Sequence, residues 1–233
     1  MVQNRKARSS KKRQIGESST LVVVPCYDEA DRLPKQEFLD YASALEDIVF
    51  LFVNDGSKDG TLALLNSAQS SHPEKVQVLD LPLNRGKAEA VRLGMQRGCE
   101  IQARYVAFWD ADLATPLETI KEFQQVLDEN GHIEMVFGAR VALLGRYIQR
   151  KASRHYLGRI FATLASLVLD LPIYDTQCGA KMFRVTPDLN TVLSQPFRSR
   201  WIFDVELIAR FVALRKKSAT LPQVSPGCRI SLL

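Results

Sequence analysis

Short apolar runs alternate along the chain with longer stretches whose apolar residues recur every third or fourth position. LVVVPCY (21–27), DIVFLFVND (47–55), KVQVLDL (75–81), RYVAFWD (104–110) and EMVFGAR (134–140) are rich in β-branched and aromatic residues and read as strands. Between them, DRLPKQEFLDYASALED (31–47), TLALLNSAQSS (61–71), NRGKAEAVRLGMQRGCE (84–100) and PLETIKEFQQVLDEN (116–130) carry the helical period. Strand and helix in strict alternation predict an α/β fold: a Rossmann-like, mainly parallel sheet with helices on both faces. Ligands in such sheets sit at the carboxyl ends of the strands. Here those ends hold Pro25 to Glu29, Asn54 to Asp59, and Asp110 to Asp112.

The last of these, AFWDADLATPLE (107–118), places two carboxylates at the end of a buried strand. Carboxylates at the edge of a core cost free energy unless something uses them. In an extended segment residues i and i+2 point to the same side, so Asp110 and Asp112 are expected to face one point. Two hard oxygen donors there suit Mg²⁺ or Mn²⁺ that also takes oxygens from a diphosphate. Thr115 as N-cap, Pro116 at N1 and Glu118 at N3 predict a capping box that starts the next helix at once. A bare pair of acids in a solvated loop is the plainer alternative.

DGSKDGT (55–61) superficially matches a calcium loop, but its twelfth position is Asn66 and a strand enters it. A strand-to-helix turn with Ser57 or Asp59 as cap accounts for it better. NRGKAEA (84–90) offers Gly86 and Lys87 at a helix start, with Asn84 as cap, a combination suited to phosphate. It lacks the P-loop spacing, and PCYDEA after the first strand is no GxGxxG, which argues against a dinucleotide oxidoreductase. Further on, DTQCGAKMFR (175–184) and FDVEL (203–207) add Asp175, Gln177, Lys181, Asp204 and Glu206. In a helix Asp204 and Glu206 do not share a face.

Charge is unevenly placed. The net charge is +5, yet residues 1–16 alone carry Arg5, Lys6, Arg8, Lys11, Lys12 and Arg13 without an acid. Residues 1–19 are expected to be a disordered basic arm, either solvated or drawn to anionic lipid. No aromatics are interleaved with these cations, which argues against nucleic acid. The head has no apolar core of a secretory signal. Cys26, Cys99, Cys178 and Cys228 form no CxxC pair and are expected to be reduced thiols in the cytoplasm. A second basic run, Arg140 through Arg159, includes Arg150 and Lys151. The apolar segment after it, IFATLASLVL (160–169), is too short to cross a membrane and suits a core helix or an interface. Residues 20–233 are taken as one domain in two halves, 20–140 and 141–233.

VVPCYDEADRLP, VNDGSKDGT, NRGKAEAVRLGM, DADLATP, DTQCGAKMF and RWIFDVELIAR, in this order, resemble family 2 glycosyltransferases of the GT-A fold. Within these the sequence is most similar to polyprenyl-phosphate glycosyltransferases of the dolichyl-phosphate β-glucosyltransferase branch. The resemblance implies that Pro25, Tyr27, Glu29 and Asp55 line the nucleotide pocket and that Lys87 lies near the donor phosphates. It implies nucleotide and metal contacts for Asp110 and Asp112, with Ala111 as a substrate-binding candidate and Asp175 and Asp204 as further catalytic candidates. Gln177 and Lys181 become substrate-binding candidates, and Arg140, Arg150 and Lys151 candidates for the acceptor phosphate. The implied reaction is inverting transfer of a sugar, glucose from UDP-glucose first, to a polyprenyl phosphate by a peripheral enzyme at the cytoplasmic face of a membrane. GDP-mannose as donor, a soluble or glycan acceptor, and a non-catalytic binding relative are the alternatives. Asn54 replaces the first Asp of the family's DDGS, and Ala114 replaces a Gln metal ligand of some mannosyltransferases. The sequence ends in LPQVSPGCRISLL without the C-terminal strand and tryptophan region of many relatives, so a shortened or divergent form is expected.

Overall fold

The computed structural model describes residues 19–138, 178–219 and 229–232. Arg140, Arg150, Lys151, Asp175 and Gln177 lie outside the described residues, as do the basic arm up to residue 18 and the apolar run 160–169.

The expected strands form as β1 (Thr20–Cys26), β2 (Ile48–Asp55), β3 (Val76–Leu81), β4 (Tyr105–Trp109) and β5 (Ile133–Phe137). The intervening helices are α1 (Lys35–Ala44), α2 (Thr61–Ser71), α3 (Lys87–Glu100) and α4 (Thr119–Glu129). Two more strands, β6 (Ala180–Arg184) and β7 (Arg229–Leu232), and two more helices, α5 (Pro187–Leu193) and α6 (Phe203–Ala219), complete the description. The sheet order is β3-β2-β1-β4-β6-β5-β7. β1, β2, β3 and β4 run parallel, while β6 is antiparallel to both β4 and β5.

Both faces of this sheet are covered, which is why its central strands are nearly continuous in apolar residues. Along β1 and β2, Val22, Val24, Phe50 and Phe52 face α1, α2 and α4. Phe38 of α1 meets Phe50 and Phe52 edge-on, at 5.1 and 5.3 Å between ring centres. The alternate residues Leu21, Val23, Val49, Leu51 and Val53 pack with α3, α5 and α6. Full burial of each such side chain is worth about 1.5–3 kcal/mol, so the strand ends are held on a stiff base.

Candidate active site

The chain runs outward from β1 through β2 to β3, then returns to place β4 on the other side of β1. The order therefore reverses between β1 and β4, and a crevice opens there at the carboxyl ends. Pro25 and Cys26 end β1 opposite Val53 and Asn54 of β2. The loop that follows is tied to the DGSKDGT turn. The amide of Asp28 donates to Ser57 Oγ (3.1 Å), that of Glu29 to Thr61 Oγ1 (2.8 Å) and that of Ala30 to Asp59 Oδ2 (3.1 Å). Asp28 adopts φ +50° and accepts from the Lys58 amide through Oδ1. The N-cap of α2 is Gly60 rather than Ser57 or Asp59, and Asp59, one residue before it, accepts from the Thr61 amide through Oδ1. Tyr27 stands 40% exposed on this rim, and the Asp28 charge pushes its phenol above the ordinary range.

Asp55 is buried, and its carboxylate accepts from two backbone amides, Arg85 (2.7 Å) and Gly86 (2.8 Å). It thereby fixes the turn into α3. Asn54 donates from Nδ2 to Asp80 Oδ1 at 2.7 Å. An aspartate at 54 would set two carboxylates against each other, which explains the asparagine. Asn84 is not the cap of α3. Gly86 takes that place at φ +92°, and Asn84 is held by a distant residue instead. Arg200 donates from Nη2 to the carbonyl and side-chain oxygens of Asn84 (2.9 and 2.6 Å) and from Nε to the Arg85 carbonyl (3.1 Å). Its own carbonyl accepts from the Ala88 amide at 3.0 Å. A Cβ on Gly86 would lie 2.8 Å from Arg200 Nε, so the glycine provides both the positive φ and the room for this clasp.

The DAD segment departs from the extended geometry expected of it. β4 ends at Trp109, and residues 110–113 form a turn closed by the Leu113 amide on the Asp110 carbonyl (3.2 Å), with Leu113 at φ +51°. Ala111 is buried in the core. Asp110 is partly exposed and forms an ion pair of 2.5 Å with Lys87 Nζ. Its amide donates to the Gly179 carbonyl at 2.8 Å. Asp112 is exposed, with Oδ1 on the Ala114 amide at 3.0 Å. Burial raises the pKa of Glu29 above the usual carboxylate range; the Arg32 cation opposes this, while the charges of Asp112 and Asp59 add to it.

The capping box is also absent. α4 begins at Thr119 with no side-chain cap, after a tight turn in which the amide of Thr119 donates to the Pro116 carbonyl. The Thr115 carbonyl accepts from the Trp109 indole instead (2.9 Å). Burying the indole demands a partner for its N–H, and Thr115 is the residue within reach.

β6 was hidden in the sequence because a lysine interrupts it. Lys181 is fully buried and donates to Asp204 Oδ1 (2.6 Å) and the Cys178 carbonyl (2.8 Å). Its ammonium lies 5.1 Å from the centre of the Phe108 ring. The expectation that Lys181 contacts substrate is corrected: its donors are directed into the fold. Asp204 is almost buried and holds that cation in place at the first turn of α6. Glu206 points elsewhere, to the Arg198 amide and the Arg210 guanidinium.

Residues 21–189 match the family model described as Glycosyl transferase family 2. The chain belongs to that family. It is 35% identical over 204 residues to dolichyl-phosphate beta-glucosyltransferase of Drosophila melanogaster, covering 80% of this chain and 60% of that one. It is 26% identical to polyprenol monophosphomannose synthase of Mycolicibacterium smegmatis, covering 71% and 61%. The chain thus spans about 60% of the length of the curated relatives it matches. Glucosyl-3-phosphoglycerate synthase from Mycobacterium tuberculosis, solved with Mn²⁺, UDP and phosphoglyceric acid, aligns at a TM-score of 0.59 and 18% identity, covering 92% and 68%. The fold is that of the GT-A glycosyltransferases.

The structure therefore brings together Pro25, Tyr27, Glu29, Asp55, Lys87, Asp110 and Asp112 at the family's strand ends. Arg200 was missed by sequence reasoning; the available cue was an arginine–tryptophan pair just ahead of FDVEL. Among the described residues no three His, Cys, Asp or Glu side chains form a metal cluster. Two carboxylates on one turn still fit the donor set of Mg²⁺ or Mn²⁺, which commonly takes only one or two carboxylates and completes its shell with substrate phosphate and water.

Proposed function

We propose that this chain carries out inverting transfer of glucose from UDP-glucose to a polyprenyl phosphate. The observation that supports this most is its similarity to dolichyl-phosphate beta-glucosyltransferase along 80% of its length. The similarity to a polyprenol monophosphomannose synthase supports GDP-mannose as a second donor candidate. Residues 20–140 are read as the nucleotide-sugar half and 141–233 as the acceptor half. No helix among the described residues is long and apolar enough to cross a membrane. The reading is of an enzyme working at the cytoplasmic face of a membrane.

A polyprenyl phosphate is already an anion at neutral pH, so its oxygen can attack the anomeric carbon without a strong general base. The tasks left to the protein are orientation and charge stabilisation at the leaving diphosphate. Asp110 and Asp112 would hold the metal, which supplies positive charge to the departing diphosphate. Lys87, released in part from Asp110 when the donor enters, adds a second cation on a helix start. Asp55 and Arg200 keep the backbone of 84–88 in place beneath it. Arg140, Arg150 and Lys151 are read as receiving the acceptor phosphate.

The test is transfer by the purified chain with Mn²⁺ or Mg²⁺, a short polyprenyl phosphate and labelled UDP-glucose, GDP-mannose and other sugar nucleotides. Product from UDP-glucose that vanishes with EDTA is the expected result. Transfer only from GDP-mannose selects the second donor, and transfer only to soluble acceptors refutes the lipid acceptor.

A further inference from the structure

The Arg200 clasp brings two exposed, acid-free segments side by side. Residues 82–88 and 198–202 carry Arg85, Lys87, Arg198 and Arg200 and no Asp or Glu. The same two segments hold three of the four large hydrophobic side chains exposed among the described residues: Leu83 and Trp201, each 70% exposed, and Ile202 at 41%. The hydrogen bonds from Arg200 to Asn84 and Arg85 join the segments directly, so Leu83 and Trp201 flank one contact. Phe203, two residues after Trp201, turns inward against Phe108 at 5.4 Å between ring centres, which anchors the protruding tryptophan to the sheet.

Apolar side chains at the tips of two loops, ringed by arginines, match an anionic bilayer surface. The cations meet lipid phosphates, and the indole sits at headgroup level with its N–H still hydrated. We infer that Leu83, Trp201 and Ile202, with Arg85, Arg198 and Arg200, form the surface by which the chain seats on an anionic phospholipid membrane. The inference rests on the lipid-acceptor reading and adds the orientation. The patch directly adjoins the start of α3, so the seated protein has Lys87 and Asp110 near the plane where a lipid phosphate lies. A long prenyl chain then stays in the bilayer while its phosphate reaches the crevice.

Tryptophan emission tests this, because the other tryptophan, Trp109, is fully buried. The full chain is titrated with vesicles of phosphatidylcholine alone and of phosphatidylcholine with one-third phosphatidylserine. Expected are a blue shift of emission and quenching by bromine-labelled acyl chains with the anionic vesicles, both lost in Trp201→Phe. Leu83→Ser/Trp201→Ser should bind these vesicles at least tenfold more weakly, with unchanged far-ultraviolet circular dichroism and unchanged UDP affinity. The basic head also attracts anionic vesicles, so sedimentation alone does not decide; the emission and depth quenching do. Anionic vesicles that bind the chain without shifting Trp201 emission, or a double variant that binds as tightly as the parent, overturn the surface. A water-soluble, short-chain prenyl phosphate separates the two readings. If it is glucosylated equally by parent and double variant while only the parent seats on vesicles, both stand. If it is never a substrate and Trp201 still inserts, the acceptor reading fails and the surface remains.

Discussion

The Gly179 carbonyl accepts the amide of Asp110 at 2.8 Å, and no side chain fits on Gly179: a Cβ there would lie 2.0 Å from Asp110 Oδ2. A residue of β6's entry thus shapes the carboxylate at the end of β4. Gly179→Ala should force Asp110 off Lys87 and lower kcat/KM for sugar transfer by at least 100-fold. Overpacking of this kind costs about 1–3 kcal/mol, so the variant should still fold. Unchanged UDP-glucose turnover in a folded Gly179→Ala protein would show that Asp110 has no need of this position.

Asp110→Asn and Lys87→Met separate two roles. The first should abolish transfer and weaken the stimulation by Mn²⁺, read as activity against metal concentration. The second should slow turnover by about 10²–10³, the cost of removing one charge stabiliser of a transition state, while metal stimulation persists. Asp112→Asn should resemble Asp110→Asn. If it instead behaves as wild type, Asp112 is a turn residue only.

Lys181 and Asp204 predict a rescue. Lys181→Met leaves a buried carboxylate without its cation and should cost about 3–5 kcal/mol in urea unfolding. Adding Asp204→Leu should restore most of that, since apolar replacement of both partners is often neutral. Transfer activity in the rescued double variant tells whether Asp204 does chemistry or only holds α6. A double variant no more stable than Lys181→Met would refute the pairing.

Glu89 gives a pH signature. Arg92 grips its carboxylate through Nε and Nη2, both at 2.7 Å, and holds its pKa below the ordinary value; Arg92 also donates to the Leu193 carbonyl, tying α3 to α5. An acid with a depressed folded pKa stabilises fully above its unfolded value, about 4.3, and loses this as pH falls through the folded value. Glu89→Gln should therefore unfold at lower urea at pH 7, by about 1–2 kcal/mol, and the gap should shrink as pH falls below the unfolded value. A gap that stays constant with pH would mean that the charge is irrelevant.

The central strands were legible because burial on both faces makes them nearly continuous apolar runs, as in β2, where Ile48 to Val53 are all apolar and buried. β6 was not, because its pattern includes Lys181, whose partner Asp204 is brought close only by the tertiary fold. The DAD position was legible and its conformation was not: sequence showed acids after a buried strand, but the left-handed Leu113 that turns them carries no glycine or asparagine signal. The capping box failed for a similar reason: the Thr115 hydroxyl lies against Cys178 Sγ at 3.8 Å, a neighbour distant in sequence. Capping rules weigh local partners alone.

The clasp between Arg200 and Asn84 spans 116 residues. During synthesis the turn before Lys87 therefore leaves the ribosome long before the residue that braces it exists. β1 to β4 can pair as soon as they emerge and Asp55 can hold the turn, yet its second brace comes only when the stretch ahead of α6 arrives. A nascent chain interrupted before that point would hold a sheet and a crevice, with the turn before Lys87 braced from one side only.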